Sequence, residues 1–85
     1  MNNIIQRKII VTGSYQPLVG SPLIGSVTIS ALPGNAGEVF FRGDDGGDVP
    51  CQPGEWHCFR SVDLSQIFVK GTPGDVITVI GGTWD

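Results

Sequence analysis

The chain has 85 residues, a net charge of −3 and only five basic residues, of which Arg7 and Lys8 alone adjoin. Without a basic stripe to neutralise phosphates, no direct nucleic-acid binding is expected, and no apolar run reaches the ~18 residues of a membrane helix. Charged residues make up 15% and glycines number 13, against averages of ~25% and ~7%; this suits one small domain (residues 1–85) with little free surface, supported by a staple or a neighbouring chain.

The N-terminus, MNNIIQRKIIV, carries its basic residues after the first isoleucines and before no apolar stretch, so it is not expected to be a secretory signal. Ile4–Val11 is the first β-type run, and residues 1–12 are expected to form an N-terminal arm or edge strand, with Met1 held in place by a neighbour. The arm would pair with a neighbour's sheet edge or lie along a partner's surface. Residues 14–25, SYQPLVGSPLIG, contain Pro17 and Pro22, which exclude a central strand. This segment reads as a long connection or an edge lying against a partner.

Ser26–Leu32 is the second run, with Val27, Ile29 and Ala31 alternating with Thr28 and Ser30. Glu38–Arg42, Glu55–Arg60, Ile67–Lys70 and Asp75–Gly81 follow, and Ser61–Gln66 spans a gap or makes one helical turn. Short strands at this spacing predict an all-β fold, a small antiparallel β-sandwich or barrel. Pro33-Gly34, Pro53-Gly54 and Pro73-Gly74 each predict a type II turn, with Pro at i+1 and Gly at i+2. Their flanks differ too much for an internal repeat.

Strand parity assigns the core to Ile29, Val39, Phe41, Ile67, Val69, Ile77 and Val79. It also leaves apolar residues with no cover in a lone domain. Val76 and Ile80 share the second side of the last strand, and Phe40 lies opposite Val39 and Phe41. With Trp84, these are the candidate interface residues: Phe40, Val76, Ile80 and Trp84.

The segment Gly43–Cys58, GDDGGDVPCQPGEWHC, concentrates the groups capable of chemistry. Asp44, Asp45 and Asp48 depart from the calcium-loop spacing, so no metal is expected there. Cys51 and Cys58 leave three readings open: two buried thiols, a disulfide across the Pro53-Gly54 turn, or a zinc site with His57 and a fourth ligand. His57 and Cys58 are strand neighbours on opposite faces and so do not form a catalytic pair. No other histidine is present, and no phosphate-binding glycine motif occurs, so neither an enzyme nor a cofactor is expected. Arg42–Asp44 spells RGD, three common residues with no expected attachment role.

From Pro33 to Gly82 the order of signals, "PGNAGEVFFRG", a Gly/Asp loop, "QPGEW" and "VDLSQIFVKGTPGDVITVIGG", resembles small β-sandwich modules of tailed-bacteriophage virion proteins. The sequence departs from that pattern at Cys51, where an apolar residue is usual, and at Trp56, where a polar one is. The resemblance implies a non-catalytic virion protein of the head decoration or cement type, made in the host cytoplasm and located on the capsid surface. It would work as a homotrimer that bridges subunits of the major capsid protein. The rival expectation is a carbohydrate- or receptor-binding module of a phage fibre or tail, in which Tyr15, Trp56 and Trp84 stack on sugars beside Asp44–Asp48.

Overall fold

The computed structural model describes residues 3–84; the expectation for Met1 lies outside the described residues. Eight strands form in the order β1 (Ile4–Ile10), β2 (Gln16–Pro17), β3 (Ile24–Ala31), β4 (Val39–Arg42), β5 (Asp48–Cys51), β6 (Trp56–Asp63), β7 (Phe68–Gly71) and β8 (Val76–Gly82). One 3-10 turn, Leu64–Gln66, follows β6. The strands make two four-stranded antiparallel sheets, β1-β8-β3-β6 and β2-β7-β4-β5. Eight strands distributed in this way form a double-sheet jelly roll.

The alternation read from the sequence sets the core. Val27, Ile29 and Ala31 of β3 and Ile77 and Val79 of β8 are buried between the sheets, opposite Val39 and Val69. Phe41 and Ile67 are half-buried and pack against this cluster. Val11, Leu18, Val19 and Leu64 are also buried in this cluster.

Two short strands carry no periodic signal in the sequence, and both are sheet edges. Gln16–Pro17 pairs with β7, so the 14–25 connection contains a two-residue edge strand. Asp48–Cys51 pairs with β4 and extends the second sheet into the Gly/Asp loop. Pro17 and Pro50 are tolerated because an edge strand has one side without ladder partners. The segment Ile4–Ile10 pairs along its full length with β8 of the same chain and forms an edge of the first sheet.

The turns need one correction. Gly54 (φ +87°) and Gly74 (φ +96°) take the left-handed conformation of a type II turn. They are closed by Glu55 N–H to Gln52 O at 2.9 Å and by Asp75 N–H to Thr72 O at 3.0 Å. Gly34 does not have a positive φ, so the Pro33-Gly34 turn is not type II, although Asn35 N–H still donates to Leu32 O at 3.0 Å. Here the chain leaves β3 for a longer excursion to β4, pinned by side chains: Asp75, 8% exposed, accepts from Ala36 N–H and Gly37 N–H.

Candidate functional site

The outer face of the first sheet leaves several large apolar side chains uncovered. Pairing register fixes which side chains share it, because directly opposed residues in an antiparallel pair lie on one face. Ile10, Lys8, Gln6 and Ile4 oppose Val76, Thr78, Ile80 and Gly82. Ser26, Thr28 and Ser30 continue the rows, followed by Cys58 and Trp56. Large apolar side chains on this face remain open to solvent: Ile4 is 72% exposed, Trp56 61% and Ile80 56%. Trp84, 43% exposed, folds back so that its ring lies over Gly82, where the absence of a side chain makes room. Trp84, Ile80, Thr28, Cys58 and Arg60 border a shallow groove of about 360 Å³ on this face. These apolar side chains share the face with Gln6, Lys8, Thr28, Ser30 and Thr78, which lie between them in the register.

The structure brings Val76, Ile80 and Trp84 to this one sheet and separates Phe40 from them. Phe40 is half-buried on the outer face of the second sheet, opposite Lys70 and Pro50. Ile4 and Ile10 also lie exposed on this face and were not singled out in the sequence; Trp56, read there as a candidate stacking residue, joins them. Ile4 and Ile10 share parity with the lysine and glutamine between them, a pattern that becomes informative only when β1 pairs with β8.

On the second sheet's outer face the polar groups engage one another. Tyr15 donates to Asp48, Lys70 lies 3.5 Å from Asp48, and the Arg42 guanidinium sits 4.5 Å from the Tyr15 ring centre and 5.4 Å from that of Phe68. Lys70 approaches the same Tyr15 ring at 4.8 Å. Desolvation and the bond to Asp48 push the Tyr15 hydroxyl up to about 12. The same bond, aided by Lys70, holds the Asp48 carboxyl below its usual range. Arg42 of the RGD triplet is thus packed on aromatic rings. Tyr15, with two cations against its ring, is remote from Trp56 and Trp84 on the other sheet, so the three aromatics form no common stacking platform.

The Gly/Asp loop resolves in parts. Asp45 accepts from Gly47 N–H at 2.8 Å, and Asp48 is committed to Tyr15 and Lys70. Among the described residues, Asp44, Asp45 and Asp48 do not converge as a metal-ligand group. The cysteines are free; Cys51 is buried, whereas Cys58 is exposed, which corrects the reading of two buried thiols. Cys58 lies beside Thr28 on the outer face, while His57 opposes Ile29 on the inner side. His57 Nε2 lies 2.6 Å from a Glu55 oxygen, and together with the Cys51 thiol these ligand atoms fall within 4.8 Å of one another. The sequence reading named Cys51 and His57 as possible zinc ligands but grouped them with Cys58 and an unnamed fourth ligand; the structure puts Glu55 beside them instead and turns Cys58 to the other face. Burial pushes the Cys51 thiol up, and the Glu55 charge adds to the effect. The Glu55 carboxyl is held low by the Gln52 N–H and by His57. A thiol raised in this way is a poor nucleophile as it stands.

No helix of the described residues is long and apolar enough to cross a membrane. Strand order and layer packing place the domain among double-sheet jelly rolls, a class that includes viral capsid domains, lectins and cupins. The chain is similar in fold to an RmlC-like cupin protein from Desulfovibrio desulfuricans, with a TM-score of 0.54 and 22% identity over 94% of this chain and 71% of that one. No protein family and no curated protein matches the sequence.

Proposed function

We propose that this protein is a structural virion protein that decorates and cements a bacteriophage capsid, acting without catalysis as a homotrimer bound to the major capsid protein. The observation that carries the reading is the outer face of the first sheet. Ile4, Ile10, Trp56, Ile80 and Trp84 lie exposed on one β surface of a chain with few charges. The resemblance of Pro33–Gly82 to virion β modules supplies the biological setting, and the jelly roll is a fold that capsid proteins use. In a trimer each modest contact recurs three times. Once the first arm is engaged, the others bind at high effective concentration.

The test is native mass spectrometry of the purified chain, followed by binding to expanded phage heads. Wild type should be trimeric and should saturate the heads. Ile80→Asp, which places a charge in the face without touching the core, should give monomers and reduced occupancy. A monomeric wild type that ignores capsids but binds a glycan array through Trp84 would replace this reading with the carbohydrate-binding one.

A further inference from the structure

We propose that Cys51, Glu55 and His57 form a site for a borderline-soft divalent cation, zinc being the best chemical fit. All three ligands come from one corner. Cys51 ends β5 in the second sheet, Glu55 closes the Pro53-Gly54 turn, and His57 lies at the start of β6 in the first sheet. Cys51 points inward with Val39, its register partner, and His57 points inward with Ile29. The corner is held by backbone: Ala31 N–H donates to Glu55 O, and Gly54 N–H donates to Ala31 O, at 3.0 and 2.9 Å. Gln52 N–H fixes the second Glu55 oxygen at 3.0 Å. The ligand atoms lie within 4.8 Å of one another. A tetrahedral zinc, with bonds of ~2.0–2.3 Å, separates its ligand atoms by roughly 3.3–3.6 Å. The widest pair of ligand atoms therefore needs to close by up to about 1.2–1.5 Å, with the His57–Glu55 contact and the Cys51 Sγ–Glu55 O hydrogen bond opening to admit the ion.

The donor set is specific. Thiolate plus imidazole suits zinc and disfavours calcium and magnesium, which prefer all-oxygen sites. Binding would release the Cys51 proton to solvent as the Sγ–metal bond forms. His57 also lines a cleft of about 350 Å³ with Phe41, Val49 and Phe59, where β5 and β6, edges of opposite sheets, diverge. His57 is half-exposed there, so water could supply the fourth ligand. The ion would tie the two sheets together at that open edge, the kind of staple a domain of this size gains most from.

The experiment uses the full chain, freed of metal by chelator dialysis and titrated with cobalt(II) and then zinc. A site of this kind gives a thiolate-to-cobalt charge-transfer band that saturates at one equivalent and is displaced by zinc, and zinc raises Tm. Cys51→Ser removes the charge-transfer band. His57→Ala, at a half-exposed position that leaves the core intact, weakens binding by more than the ~10–100-fold typical of losing an outer-shell partner. Cys58→Ser, on the other face, changes nothing. The proposal is overturned if wild type shows neither the band nor a Tm shift, if Cys58→Ser abolishes the band, or if His57→Ala binds cobalt as tightly as wild type. None of these readouts depends on capsid binding, so this site and the assembly reading fail separately.

Discussion

Asn35 pairs with Val76 as a short strand would: Val76 N–H donates to Asn35 Oδ1 and Asn35 Nδ2 donates to Val76 O, each at 2.9 Å. A side chain thus takes the place of backbone where the loop after β3 crosses the start of β8. Val76 O has a second donor in Leu32 N–H at 3.2 Å, but Val76 N–H depends on Asn35. Asn35→Ala should therefore cost about 1–3 kcal/mol, the penalty for an unsatisfied amide. Asn35→Asp, which keeps the acceptor, should cost less. Urea unfolding of both variants checks the order.

Ile77 and Val79 are fully buried on the inner face of β8. Ile77→Ala should destabilise by ~2–5 kcal/mol, a large part of the 5–15 kcal/mol typical of a whole domain. Thr78→Ala, between them on the outer face, should change stability little. If thermal melts of Ile77→Ala and Thr78→Ala coincide with wild type, the inward assignment of β8 is wrong.

Gly81 and Gly82 are adjacent but should respond differently to alanine. A Cβ at Gly81 would overlap the Ser26 carbonyl oxygen and come within 2.7 Å of Val27 Cα, backbone that cannot yield while β3 and β8 stay paired. The nearest atoms to a Cβ at Gly82 belong to the Trp84 ring, and an exposed side chain can swing away. Gly81→Ala should lower stability by at least about 1–3 kcal/mol or prevent folding. Gly82→Ala should fold, with a change in tryptophan emission as Trp84 leaves the sheet.

Acid should weaken the domain through a small set of carboxylates. Asp63 is held below its ordinary 3.8 chiefly by the Ser65 hydroxyl and the Ser65 and Leu23 N–H groups, and Asp48 below the same value by Tyr15. Glu55 lies below its ordinary 4.5. Folded values below unfolded ones mean that the stabilisation is complete above about pH 4.5 and is lost as pH falls through the folded values. Tm should be level from pH 7 to 5 and decline below 4. Asp63→Asn should flatten part of that decline. A Tm that rises on acidification from pH 5 to 3 would contradict the assignment.

Alternation made the long strands legible: Ser26–Leu32 and Asp75–Gly81 exposed their inner faces because both are central to a sheet with one face in the core. Gln16–Pro17 and Asp48–Cys51 were not legible, since two to four residues containing proline carry no period and exist as strands only through their partners. The candidate interface was legible in part. Val76 and Ile80 followed from the parity of one strand, but placing Phe40 on the other sheet required knowing how the chain divides its strands between layers. The Cys51, Glu55 and His57 trio was hidden because β5 was not recognised, so the side to which Cys51 points could not be assigned.

Each of the four lateral strands carries its own obstacle to further β pairing. β2 ends in Pro17 and β5 contains Pro50; β1 carries Arg7 and Lys8 at mid-strand; and β6 is kinked by a bulge opposite Gly25/Val27, with Ser61 at φ +49°. Proline, charge and bulge are devices that keep sheet margins from templating new chains. Copies of this protein crowded together at high local density would thus be hindered from zipping margin to margin into open-ended fibrils.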